Sequence, residues 1–286
     1  MNKLRTLLIA GLTVAVVGIT APRSEALPLL TLTDRNSTAQ IDQDSANGMV
    51  NWYVDGVNHL FQQWFFYRIG SVDDEASIDA LGPAQVIGPN NGDFDAGTET
   101  VVMRHSDGAL QVDTQYTLVG NGAGSNHAII AEEITIENLD TQNAMDLHFF
   151  QYSDFDLGNT PNDDSVSIVN QYKAVQNDGV GGYLSEIVGS TLGPAPAHHE
   201  ANYFANTLLK FSDGLPTTLD DNNSAGPGDV TWAFQWDINI APGGTASFSK
   251  QKAIGVPEPA SLVLFGFGLI GAAGAARRRK AMAPQA

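Results

Sequence analysis

The chain has 286 residues, a formal net charge of −18 and no cysteine, which excludes disulfides, thiol catalysis, zinc–thiolate sites and iron–sulfur clusters. Residues 27–256 hold 7 of the 14 Lys and Arg but 30 of the 32 Asp and Glu, a local net charge of −23. That charge excludes a nucleic-acid partner and opposes binding to anionic lipid, while favouring solubility, cation binding or a salty medium.

Residues 1–26 read as a secretory signal peptide. Lys3 and Arg5 form the positive end, an apolar run follows from Leu7 to Ile19, and Ser24-Glu25-Ala26 offers small residues for cleavage after Ala26. Ile19-Thr20-Ala21 is an alternative cut, and an uncleaved anchor is the other reading of the segment.

Residues 27–255 are expected to form an all-β extracellular domain. They are numerous enough to bury a core without disulfide staples. Val57 to Tyr67 fits helix or strand. Thr98 to His105 is a short strand candidate. Leu110, Val112, Tyr116 and Leu118 alternate along a strand that begins after an Asp107-Gly108 turn. Ala128, Ile130, Ile134 and Ile136 mark the next, closed by Asn138, and Met145 to Tyr152 follows. Val166 to Val169 and Tyr183 to Val188 are shorter. Gly189 to Glu200 and Leu215 to Asp229 read as loops, with the best helix candidate, Asn202 to Phe211, between them. Val230 to Ile240 is apolar at every even position. The turn Ala241-Pro242-Gly243-Gly244 then predicts a hairpin into a strand through Ala246 and Phe248. Period-two strands separated by Gly, Asn and Asp turns predict an antiparallel β-sandwich. One domain is the expectation, and two small sandwiches are the alternative.

Residues 256–280 carry three signals in order, before a short tail at 281–286. Pro257-Glu258-Pro259 is held extended, because each proline disfavours α geometry in the residue before it. Ala260 to Ala276 is uncharged and, as a transmembrane helix, spans roughly 25 Å. Arg277, Arg278, Arg279 and Lys280 form a cationic stop that stays cytoplasmic. This arrangement resembles the PEP-CTERM sorting signal of Gram-negative bacteria, with Pro257, Glu258, Pro259 and the cluster Arg277, Arg278 and Arg279 in the motif positions. The resemblance implies an exosortase and the secretion machinery as partners, removal of the tail, and delivery to the cell surface or exopolysaccharide matrix. The membrane would then hold the precursor only transiently, through the C-terminal helix. The segments Gln62 to Arg68, Phe150 to Leu157 and Gly228 to Trp236 resemble parts of uncharacterised proteins bearing the same signal, which implies no activity.

Candidate chemistry is sparse. The loop from Ser153 to Asp164 gathers Asp154, Asp156, Asp163 and Asp164 with two Asn amides, an oxygen-rich set of the kind calcium prefers. The alternative is a solvated turn. Asn90 to Asp95 is a smaller sibling. Glu132 interrupts the inward apolar phase of its strand, so it should be buried and paired, with Arg68 as the candidate partner. His198-His199-Glu200 is a candidate transition-metal run. No HExxH, GxSxG or P-loop occurs. Trp52, Trp64, Trp232 and Trp236 lie in predicted strands and read as core, with a sugar-stacking row as the alternative. The sequence therefore points to a secreted, non-catalytic surface or matrix protein, with no certain cofactor. The other candidates are a carbohydrate-binding or polysaccharide-active domain and a calcium-stabilised adhesin.

Overall fold

A computed structural model describes residues 29–87, 99–189 and 193–255. The signal peptide, the Asn90–Asp95 loop, and the sorting residues Pro257, Glu258, Pro259 and Arg277–Arg279 lie outside the described residues. Among the described residues no helix is long and apolar enough to cross a membrane.

The first strands are β1 (Leu30–Asp34), β2 (Ser37–Asp42), β3 (Gly48–Val54), β4 (Val57–Asn58), β5 (Gln62–Ile69) and β6 (Ala76–Ser77). Next come β7 (Gln85–Val86), β8 (Glu99–Ser106), β9 (Leu110–Val119), β10 (Ala128–Asn138), β11 (Met145–Asp154) and β12 (Asp164–Val169). The last are β13 (Lys173–Asn177), β14 (Tyr183–Val188), β15 (His198–Tyr203), β16 (Ser224–Gly228), β17 (Val230–Ile240) and β18 (Thr245–Ile254). One short α-helix, α1, covers Asn206–Lys210.

These strands make two nine-stranded sheets. The first runs β1-β2-β3-β5-β11-β17-β15, with β4 and β6 attached to β3 and β5, and the second runs β16-β12-β13-β14-β18-β10-β9-β8-β7. All pairs are antiparallel except a short β3–β5 contact. The expected all-β, antiparallel architecture is present. Its strands alternate because successive side chains leave opposite faces. On β11, Phe149 meets Phe248 of the second sheet, whereas Phe150 turns to the other face and packs on Phe211.

The core between the sheets is aromatic. Trp52, Trp64, Trp232 and Trp236 are all fully buried, which meets the core expectation and removes them as a sugar-stacking surface. Trp236 stacks on Phe248 with centroids 4.4 Å apart, and Trp232 stacks on Phe155 at 5.3 Å.

Four local expectations change: β15 begins inside the expected Gly189–Glu200 loop, β16 lies inside the expected Leu215–Asp229 loop, and the turn and the helix differ as well. The 241–244 turn does not close a hairpin within one sheet: β17 pairs with β11 and β15, and β18 pairs with β10 and β14. The turn passes the chain from one sheet to the other, so both strands bury their apolar rows in the same core from opposite sides. The helix is shorter than Asn202 to Phe211, because Asn202 and Tyr203 pair with Thr231 and Val230 as the end of β15.

Candidate functional site

The β11–β17 pair ends in carboxylates. Asp154 closes β11 opposite Thr231, Asp156 lies two residues further on, and Asp229 immediately precedes β17. The register therefore sets Asp229 diagonally across from Asp154 on the same face, a neighbour relation that sheets enforce. One carboxylate oxygen from each of Asp154, Asp156 and Asp229 lies within 4.8 Å of the other two. Asp163 and Asp164 stand outside this trio. Asp164 is buried and accepts a hydrogen bond from the Leu157 N–H at 3.3 Å.

Burial dominates the electrostatics here. It pushes Asp154 up to about 8, with the charges of Asp156 and Asp229 adding to the rise. Asp156 is pushed up to about 6 by burial and then by Asp229, and burial also raises Asp229. Asp164 is pushed up to about 7 by burial, against hydrogen bonds from Gln176 and the Leu157 N–H.

Beside the trio lies a pocket of about 380 Å³ lined by Asn47, Asn51, Asn58, Phe61, Asp156 and Asn159, among others. Two of its amides are held in place: Asn58 donates to Asn51 Oδ1 at 2.9 Å, and Asn51 donates to Gln40 Oε1 at 2.9 Å. Phe61 and Phe204 form an edge-to-face pair with centroids 5.8 Å apart, and they are 53% and 43% exposed. Their backbone N–H groups donate to the carbonyls of Asp154 (3.1 Å) and Asp229 (2.9 Å), which ties the exposed rings to the acidic residues.

Glu132 is buried as expected, but Arg68 is not its partner. Arg68 donates to Glu75 at 2.9 Å and to the carbonyls of Gly70 and Thr217. Glu132 instead pairs with Lys250 at 2.6 Å and with Lys252. Glu186 completes a buried tetrad, 3.2 Å from Lys252 and 3.5 Å from Lys250. From the facing sheet, Gln151 and Trp232 donate to Glu186 Oε2 at 2.9 and 2.6 Å, and the Phe65 ring lies 4.6 Å from Lys250 Nζ. Sequence reading missed Glu186, Lys250 and Lys252, although even spacing puts Lys250 and Lys252 in the inward row of Phe248 and Ile254, and Glu186 in that of Leu184 and Val188.

His198-His199-Glu200 lies on β15, where consecutive side chains face opposite ways, so the three do not converge. His198 Nδ1 is 3.0 Å from Asp221, His199 Nε2 is 2.9 Å from Asn223, and Glu200 binds Lys210.

The fold and site define an antiparallel β-sandwich with an acidic, aromatic-rimmed pocket at one end. Its C-terminal segment carries the PEP-CTERM protein-sorting motif at residues 255–280, which implies exosortase processing and an extracellular destination. No curated protein matches the chain. Among solved structures, a bacterial glucoamylase complexed with acarbose is similar, with a TM-score of 0.55 and 10% identity. That similarity covers 81% of this chain and 32% of the glucoamylase, so this chain spans about a third of its length. A family GH92 α-mannosidase from Bacteroides thetaiotaomicron aligns at a TM-score of 0.37 and 8% identity, over 83% of this chain and 32% of the mannosidase. At such identities the glucoamylase likeness is one of fold.

Proposed function

We propose that this chain is an exosortase-sorted cell-surface or exopolysaccharide-matrix protein whose sandwich acts by structure and binding, without catalysis. The sorting motif at residues 255–280 carries the proposal. Two features support the non-catalytic part. The buried charges of the tetrad are engaged with one another inside the core. The sequence, in turn, holds no HExxH, GxSxG or P-loop motif.

The test is expression in an exosortase-bearing Gram-negative host, with the intact mass and location of the product measured. Loss of the tail and recovery from the surface or matrix are expected, with Glu258→Ala retained as the uncut precursor. An uncut chain that stays in the membrane whether or not Glu258 is present would overturn the sorting role. Release of reducing ends from a purified exopolysaccharide would overturn the absence of catalysis.

A second reading, carbohydrate binding, is favoured by the Phe61–Phe204 pair beside the amide-lined pocket. Exposed rings offer apolar faces to sugar C–H groups, and fixed amides offer directional hydrogen bonds. Saturable binding to one extracted exopolysaccharide supports it, and no binding across a panel rejects it.

A further inference from the structure

We propose that Asp154, Asp156 and Asp229 form a binding site for one divalent cation of the calcium class. The first support is their convergence, with one oxygen from each within 4.8 Å of the others. The second is the state of Asp154. It is 1% exposed; its Oδ2 accepts a hydrogen bond from the Tyr152 hydroxyl at 3.2 Å, and its Oδ1 is buried with no hydrogen-bond partner. An orphaned carboxylate oxygen is costly to bury, and coordination to a cation would remove that cost.

Of the seven Lys and Arg among the described residues, six are committed elsewhere. Arg35, Arg68, Arg104, Lys210, Lys250 and Lys252 pair with acids outside the trio. Among the described residues, no Lys, Arg or His forms an ion pair with Asp154, Asp156 or Asp229. The donors are all hard carboxylate oxygens, without His or Cys, which selects against zinc and copper. Asp156 and Asp229 are only half-buried, so water can complete the six to eight oxygens that calcium takes. Magnesium demands a tighter octahedron, which a loop residue, a strand end and a strand start are less suited to supply.

The site would clamp three pieces of chain: the end of β11, the loop after it and the start of β17. Through the backbone bonds from Phe61 and Phe204 to Asp154 and Asp229, it would also brace the aromatic rim of the pocket. This inference does not depend on glycan binding.

The test uses the purified full-length chain, stripped with chelator and titrated with calcium by calorimetry, with melting followed in parallel. One calcium per chain and a melting temperature that rises with calcium are expected. Asp229→Asn and Asp156→Asn, both at half-buried positions, should each weaken binding by at least about tenfold. Asp163→Asn, outside the trio, should leave it unchanged. Zinc should not compete at equal concentration. Absence of both calcium heat and a melting shift in the unaltered chain overturns the site. Wild-type affinity in Asp156→Asn, or loss of binding only in Asp163→Asn, moves the ion elsewhere and overturns it equally.

Discussion

Lys252 and Glu186 stand directly opposite each other on β18 and β14, and neither is exposed to water. Glu132 and Lys250 repeat the relationship on β10 and β18. The two lysines are two residues apart on one strand, so each lies between a facing and a diagonal glutamate. The set is neutral as a whole. Burial and the neighbouring Lys252 charge hold Lys250 down to about 8 despite the pull of Glu132. Lys252 stays above the ordinary lysine range, because Glu132 and Glu186 outweigh its burial.

Removing one member leaves a charge stranded in an aromatic core. Glu186→Gln or Lys252→Met should each destabilise the fold by about 3–5 kcal/mol in urea unfolding. The paired replacement Lys252→Met with Glu186→Leu should cost less than the two single changes added together. Single losses below about 1 kcal/mol would show that water reaches the tetrad.

Acid should unlock the cluster around Glu200. Burial alone would raise its carboxyl, but hydrogen bonds from Lys210, Asn202, Thr207 and the Asp220 N–H prevail and hold it below the usual range. A carboxylate depressed in the folded state adds stability that is complete above its unfolded value, about 4.3, and is lost as pH falls through the folded value. The share of the melting temperature that depends on Lys210 should therefore drop as the solution is acidified below about pH 5, while the raised carboxyls of Asp154, Asp156 and Asp164 act in the opposite direction. Lys210→Met should flatten that drop, and an identical acid profile in the variant would remove Glu200 as its source.

Backbone shape restricts Gly48. Its φ is +63°, and a Cβ there would lie 2.2 Å from the Trp64 ring. Gly56 shares a positive φ of +82°, but a Cβ there meets nothing within 4 Å. Gly56→Ala should cost about 1–2 kcal/mol from backbone conformation alone. Gly48→Ala should cost clearly more, because the Trp64 ring must also move. Equal melting temperatures for the two variants would contradict the packing around Trp64.

Phe61 and Phe204 separate binding from stability. Both are largely exposed, so Phe61→Ala and Phe204→Ala should change unfolding free energy by less than about 1 kcal/mol. On the carbohydrate reading, each should weaken glycan binding at least about tenfold, in the range of a binding hot spot. Full affinity in both variants would place any glycan elsewhere.

Period-two alternation in Leu110–Leu118, Ala128–Ile136 and Val230–Ile240 made the long strands legible from the sequence. The interruption at Glu132 correctly marked a buried charge. Its partners were hidden, because Lys250 and Lys252 lie more than 115 residues away and only the β10–β18 register brings them together. Lysines at inward positions also disguise the apolar phase of β18. Asp229 was missed for a related reason. Asp154 and Asp156 are close in sequence to Asp163 and Asp164, yet strand pairing places β17, and with it Asp229, beside them. The 241–244 turn looked like a hairpin because local turn chemistry does not reveal whether the next strand joins the same sheet or the facing one.

The sealed lysines also bear on survival outside the cell. Enzymes that cut after Lys or Arg need an accessible, extended stretch of chain. Residues 27–256 offer seven such positions. Arg68, Lys250 and Lys252 are shut inside the fold. Arg104 and Lys173 sit in strands paired to their neighbours. Arg35 in a turn and Lys210 at the end of α1 are what remain, so a trypsin-like protease in the surroundings meets a folded surface with almost nothing to cleave.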